Sequence, residues 1–382
     1  MNRLREAFVI LNRAAGIGPI RARALCEAFG GPEEVLAAPA SALAGVRGIG
    51  PRVAEELVRQ RDAIDADEEE RRAAAVGARI VTPADEAYPE PLRRLYDPPL
   101  CLYVRGEWRP ADELGLAVVG TRAASAYGKA QAERLAFGAS KAGFCIVSGL
   151  ARGIDTAAHR GALKAGGRTV AVLGGALDRL YPPENRGLAD EIADGHGAVM
   201  SEFPMGRSPD RTTFPYRNRL VSGLSRGVLV VEAGLNSGAM QTADLAVEQG
   251  KSVLAVPGRV DMEGSEGPHR LIRDGARLTA GLEDVLKEFE FELPGGAAAA
   301  ARGAADGLGD TNLSPAEERV VKALWREAES DLDEVVRRTG LSAGQLLTVA
   351  MQLEMKRVVR RLPGRRLALA EGVRQGRLGG ME

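Results

Sequence analysis

Short, nearly unbroken apolar runs recur through the middle of the chain: Leu114–Gly120, Phe144–Gly149, Arg168–Gly175, Gly197–Phe203, Gly227–Gly234 and Ser252–Gly258. A strand with one wet face alternates apolar and polar residues. Runs without alternation predict strands buried on both faces, as in a parallel sheet covered by helices. Helix-forming stretches such as YGKAQAERLAFGASKAG and TADLAVEQG separate most of them. This alternation predicts an α/β core with a mostly parallel sheet over residues 76–292. Nearly every run ends in Gly or Ser, so a ligand at the carboxyl edge could approach the backbone closely.

The flanks differ. Residues 1–72 read as helices and repeat one phrase, Gly16-Ile17-Gly18-Pro19 and Gly48-Ile49-Gly50-Pro51. A Gly-x-Gly turn followed by Pro at the first helical position predicts a helix-hairpin-helix, or SAM-like, module. Its exposed N–H groups could take a phosphate oxygen, or the module could serve packing alone. Residues 293–311, rich in Ala and Gly, read as a flexible linker. Beyond it, residues 312–370 open helices with the capping boxes Ser314-Pro315-Ala316-Glu317 and Ser342-Ala343-Gly344-Gln345. A hairpin around Pro363-Gly364 then completes a winged-helix pattern.

The chain has 382 residues, 45% apolar and 4% aromatic, with a formal net charge of -1. A polyanion must therefore be held by local patches. Five arginines between Phe203 and Gly227, and the Lys and Arg residues from Lys356 to Arg366, supply two; acids collect from Asp62 to Glu70. Such runs are also what a solvated face looks like. Cys26, Cys101 and Cys145 are far apart and lack metal spacing, which fits a reducing, cytoplasmic setting. The first residues have too short an apolar core for a signal peptide, and no apolar run reaches membrane-spanning length.

Gly120-Thr121-Arg122 closes the first core run and suits a phosphate. Neither G-x-G-x-x-G nor a Walker pattern is present, so no nucleotide cofactor is expected. Ser148, Asp155 and His159 could form a hydrolytic set, but Ser148 is not in a G-x-S-x-G elbow. The Gly residues around Ser148-Gly149 more readily make a second anion nest. Phe214-Pro215-Tyr216-Arg217-Asn218-Arg219 reads as a loop that interleaves rings and guanidinium groups, as a single-strand site requires. Alternatively the rings are core and the arginines cap helices. Glu232 is the best candidate for a general base; otherwise it binds loop N–H groups.

The phrases AVVGTRAASAYG, IVSGLARGIDTAAHRGAL, TVAVLGGALDRLYPPENRGL, FPYRNRLVSGLS, VVEAGLNSGAMQTADLAVEQG and LAVPG together resemble the DNA-processing protein A (DprA/Smf) family across Tyr88 to Ala276. The resemblance implies an extended Rossmann-like core that binds single-stranded DNA, forms a homodimer and loads a RecA-type recombinase, protecting incoming DNA in natural transformation. The helical and winged-helix flanks match a longer form of the family. Carried over by position, the site comprises Gly120, Thr121, Arg122, Ser148, Gly149, Gly174, Phe214, Arg217, Asn218 and Arg219, with Ser237 and Gly238 nearby. Arg179 or Arg186 takes a role that lysine fills elsewhere, and His269 departs from the family's usual Asn. Two other readings stand beside this one: a nucleotide hydrolase resembling the phosphoribohydrolases, and a duplex regulator acting through the winged helix.

Overall fold

The computed structural model describes residues 2–292, 314–325, 329–355, 358–362, 364 and 366–369. The linker read at 293–311 lies outside them, as do Lys356, Arg357, Pro363 and Arg365. The chain divides into two compact units, Met1–Ala297 and Ala298–Glu382.

The first unit is built on a nine-stranded sheet. Its strands are β1 (Ala78–Val81), β2 (Leu102–Gly106), β3 (Gly115–Val119), β4 (Cys145–Ser148), β5 (Thr169–Val172), β6 (Gly197–Ser201), β7 (Gly227–Val230), β8 (Ser252–Ala255) and β9 (Arg277–Leu278). The order is β1-β2-β6-β5-β4-β3-β7-β8-β9. From β6 to β9 every neighbouring pair is parallel, while β1–β2 and β2–β6 are antiparallel. The chain thus winds outward from β3 to β6, then returns to lay β7 on the other side of β3. The β3/β7 boundary is the switch point, where open α/β sheets bind ligands beyond their strands' carboxyl ends.

All six apolar runs form strands, and they are buried on both faces as expected. Leu102, Val104, Val170, Val172, Ala198 and Met200 pack on one side against Leu220, Val221 and Leu224. The intervening Tyr103, Ala171 and Val199 pack on the other against Val9, Ile10, Ala66 and Ala73. The N-terminal helices therefore cover one face of the sheet. They also have a core of their own, including Leu11, Leu25, Leu43 and Leu57.

Both hairpins form as read. Gly16 (φ +82°) and Gly48 (φ +87°) turn the chain in the left-handed region, where side chains are strained. Helices Pro19–Phe29 and Pro51–Arg61 follow, each with Pro in its first turn. The acidic run at Asp62–Glu70 is not wholly solvated. Glu69 is fully buried: its Oε1 accepts from Tyr103 Oη (2.8 Å) and Met205 N (2.7 Å), and its Oε2 lies 3.1 Å from Arg13 Nη1. This carboxylate bolts the helical region to the sheet.

In the second unit both capping boxes close reciprocally. Ser314 N donates to Glu317 Oε2 (2.7 Å) and Ser342 N to Gln345 Oε1 (3.0 Å). Helices Pro315–Trp325, Leu332–Thr339 and Ala343–Met355 precede the antiparallel pair β11 (Val359–Leu362) and β12 (Arg366–Leu369), which forms a sheet with β10 (Ser330–Asp331). This is a winged helix.

Breaking a buried ion pair by removing one partner costs about 3 kcal/mol, because the other charge is left uncompensated. Glu69→Ala should lower the unfolding free energy by about that amount in urea titrations, whereas Glu68→Ala, on the exposed face, should change it by less than ~0.5 kcal/mol.

Candidate nucleic-acid interface

The switch point is assembled from loops leaving β3, β4, β5 and β7. After β3, Thr121 N donates to Glu232 O beyond β7 (2.7 Å), closing the crevice at its base. Gly120 has no room for a side chain: a Cβ there would lie 2.7 Å from Glu232 O and 2.5 Å from the Ile154 side chain. Gly153, at φ +78°, is equally confined, with Thr121 O 2.3 Å from a built Cβ. The backbones after β3 and β4 are therefore in contact, and Arg122 is left pointing outward and exposed.

The stretch Phe214–Arg219, expected to be a loop, lies in the helix Thr213–Gly223. The correction changes what its arginines do. Arg217 is 5% exposed, and its Nη1 donates to Gly149 O (2.9 Å) and to Val172 O. Asp155 faces the same spot and accepts from Gly149 N (3.1 Å) and Ala151 N (3.3 Å). Burial lowers the Arg217 guanidinium to about 10 and raises the Asp155 carboxyl. Arg219, also 5% exposed, pairs with Glu202 and lies 3.2 Å from Asp97 Oδ2. Asn218 Nδ2 donates to Gly238 O (3.2 Å), tying this helix to the next, Gly238–Glu248, which Ser237 caps. Arg217, Asn218 and Arg219 are thus internal brackets rather than surface donors.

What the helix does present is Phe214. Gly174 makes room for it, since a Cβ there would lie 2.6 Å from the ring. The Arg122 guanidinium sits 4.7 Å from the Phe214 centroid, the Tyr181 ring lies 6.2 Å away, and Arg152 lies 5.8 Å from the Tyr181 centroid. Two adjacent rings, Phe214 and Tyr181, are therefore flanked along the carboxyl edge by two guanidinium groups, Arg122 on one side and Arg152 on the other. Gly149, Ala151 and Pro182 line the same small pocket. Arg179, Arg186 and Arg211, close in sequence to Tyr181 and Phe214, are exposed but do not line it.

Arg211 belongs to the basic run read from sequence, but Tyr181 and Arg152 were not among the site residues expected there. Nor was Asn185, whose Nδ2 donates to Leu150 O (2.9 Å) and Thr156 Oγ1 (2.9 Å). Leu150 is the described non-glycine residue with positive φ, +56°, so Asn185 braces a strained turn beneath the pocket. The first hairpin borders this region: a Cβ on Gly18 would lie 3.7 Å from Tyr216 Oη.

The hydrolytic set does not assemble. Ser148 Oγ donates to Val118 O (2.7 Å), and His159 Nδ1 pairs with Thr169 Oγ1 (2.7 Å). Burial, with Arg217 nearby, drives the His159 pKa down to about 3. Glu232 is committed as well: its Oε2 accepts from Ser125 N (2.9 Å) and its Oε1 from Ser125 Oγ. His269 Nε2 bonds Gly258 O (3.0 Å), away from the pocket. A larger cleft of about 930 Å³ opens beside the amino ends of β7 and β8. Its cations are engaged, Arg219 as above, Arg226 with Glu292, Lys251 with the Ser222 and Gly223 carbonyls, Arg23 with Glu27 and Arg94 near Glu90; at the smaller pocket Arg152 likewise pairs with Glu184, while Arg122 lies on the Phe214 ring.

The model of DNA recombination-mediator protein A matches residues 79–290, that of the DprA winged helix domain residues 304–365, and that of the SAM-like helix-hairpin-helix tandem residues 8–62. The chain is 32% identical to Protein Smf of Synechocystis sp. over 384 residues, covering 93% of this chain and 96% of that one. It is 44% identical to the DNA processing protein DprA of Streptococcus pneumoniae over 207 residues, 54% of this chain and 73% of that one. The crystal structure of the S. pneumoniae protein superposes with a TM-score of 0.66 at 35% identity, covering 75% of this chain and 98% of that one. A Helicobacter pylori DprA structure, described for its single-stranded DNA binding mode, gives 0.51 at 32%, covering 56% and 97%.

The His159 shift has a pH signature. Its folded pKa, about 3, lies below the ordinary 6.5, so the unfolded chain takes up the proton first. The stability this contributes is present above pH 6.5 and is lost as pH falls from 6.5 toward 3, at up to ~1.4 kcal/mol per unit. The His159 imidazole signals should show no titration between pH 8 and pH 4 by NMR; a midpoint near 6 would contradict the buried, neutral ring. The hairpins, the switch-point motifs and the winged helix occur together in the order those models require, and the chain belongs to the DNA recombination-mediator protein A family, whose members carry the names DprA and Smf.

Proposed function

We propose that this protein binds single-stranded DNA along the carboxyl edge of its parallel sheet without reading base sequence. On this reading it protects incoming strands in natural transformation and hands them to a RecA-type recombinase, acting as a homodimer in the cytoplasm. The observation that carries the proposal is the ring pair Phe214 and Tyr181 flanked at the switch point by the guanidinium groups of Arg122 and of Arg152, the latter shared with Glu184. Guanidinium groups take phosphates, and rings stack on any base, at about 1–3 kcal/mol each. The single-stranded DNA binding described for the H. pylori relative supports the same assignment. Gly120, Thr121, Ser148, Gly149, Gly174, Ser237 and Gly238 let backbones close up beneath the strand. Arg217, Asn218 and Arg219 hold the helix that carries Phe214, and Arg179, Arg186 and Arg211 add positive charge nearby.

Action by binding rather than turnover agrees with the engagement of His159 by Thr169 and of Glu232 by Ser125. In the winged helix the exposed cations Arg360, Arg361 and Arg366 lie on the strands, so the duplex-regulator reading draws little support from the helix that would enter a groove. The exposed positions of helix Ala343–Met355 include Gln345, Leu347, Thr348, Met351, Gln352 and Glu354, with no cation to read a groove.

Salt-dependent titration with single- and double-stranded oligonucleotides tests the proposal. Affinity for single strands should fall steeply with salt. Arg122→Ala should reduce the log–log slope by about one, and Phe214→Ala should weaken binding with the slope unchanged, because stacking releases no counterions. Equal slope changes for both, or tighter binding to duplex, would remove the proposed path. Truncation after Asp310 should leave single-strand affinity within about twofold, since one or two fewer phosphate contacts would show as a larger drop.

A further inference from the structure

In Rossmann-type sheets the helix following the switch-point strand aims its N-terminal N–H groups at a bound phosphate. Here that helix is Ala126–Lys141, and its N-terminus is already occupied by a carboxylate from the other side of the crevice. Glu232 is 8% exposed; it accepts from Ser125 N (2.9 Å) and from Ser125 Oγ, which in turn accepts from Gly128 N (3.0 Å). Gly128 permits this approach, because a Cβ there would lie 2.3 Å from the Glu232 carboxylate.

We propose that Glu232 is an internal stand-in for phosphate, and so a specificity-determining and positioning residue. It fills the subsite where a mononucleotide or dinucleotide phosphate would bind. It also fixes the Gly120–Ser125 turn, so that Arg122 projects outward to the phosphates of a polymer. The fold thereby rejects free nucleotides while keeping its DNA edge. The second consequence rests on the function proposed above; the first does not, because the carboxylate occupies the helix whatever the outer edge binds.

The probe is inorganic phosphate, followed by AMP, added at constant ionic strength to the DNA-free full chain and read as a shift in Tm. Wild type should show no shift beyond a chloride control. Glu232→Ala should melt lower and regain stability in phosphate with a saturable midpoint, and Glu232→Ala combined with Arg122→Ala should respond equally, placing the anion at the helix rather than at Arg122. Identical phosphate responses in wild type and Glu232→Ala, or loss of the response in the double variant, would overturn the proposal. Should Glu232→Ala not fold, Glu232→Gln decides. Protection of the Ser125 amide from hydrogen exchange should fall by about tenfold or more when the charge that holds it is removed, and unchanged protection would overturn the proposal. None of these readouts involves DNA, so failure here is distinguishable from failure of single-strand binding.

Discussion

A cation buried under the carboxyl ends of β4 and β5 sets the geometry of the whole edge. Arg217 Nη1 reaches Gly149 O and Val172 O, carbonyls that the sheet ladder cannot satisfy because both strands end there. An unpaired buried carbonyl is costly, and so is an unpaired buried guanidinium; each resolves the other, with Asp155 as counter-charge. The approach requires Gly149, whose Cβ would lie 2.3 Å from the guanidinium. Once Arg217 is seated, the register of helix Thr213–Gly223 is fixed. Phe214, one turn earlier, must then lie over Gly174 at the mouth of the crevice.

The other wall is set by a different charge. Glu232 fixes the turn after β3, and Thr121 N on Glu232 O sets its depth. Arg122 and Phe214 thus come from elements held by independent charged brackets, and they meet as a cation on a ring. Ordering two such side chains costs side-chain entropy, for arginine up to about 2 kcal/mol. If the edge binds DNA as proposed, placing the pair together beforehand removes part of that cost from the binding step.

The six inner strands were legible because burial on both faces leaves unbroken apolar runs, and the hairpins because left-handed turns select Gly. β1, β2 and β9 were not: β9 is two residues long, and both Arg277 and Leu278 are exposed. The helix at Thr213 was misread for a specific physical reason. It buries Arg217, Asn218, Arg219 and Ser222 beside Leu220 and Val221, so its inward face is largely polar and shows no apolar period. Charge at Arg217 and Arg219 suggested a DNA-facing loop, whereas their partners, Gly149 O, Val172 O, Glu202 and Asp97, come from remote segments. Sequence reading singled out the stretch that carries Phe214 but took buried supports for surface donors. The cation–ring ladder escaped it because Tyr181 and Arg152 join Phe214 only once β4 and β5 are neighbours.

The same exchange bears on the indifference to base sequence proposed for this edge. Base readout needs donors and acceptors fixed at the rim, facing base edges. Here the fixed polar groups, Arg217, Asn218, Asn185 and Glu232, face inward and are engaged by the backbone, by one another or by the hydroxyls of Thr156 and Ser125. Rings and long guanidinium side chains remain at the rim. A ring stacks on any base, and a guanidinium meets a phosphate whatever base it carries. Phe214 and Tyr181 are 6.2 Å apart between centroids and tilted by 54°, already in contact with each other, so bases would stack on the outer faces of the pair rather than between the rings. One of those faces is covered by Arg122. A strand that engages Phe214 there must first draw Arg122 outward to a phosphate, which couples backbone capture to base stacking.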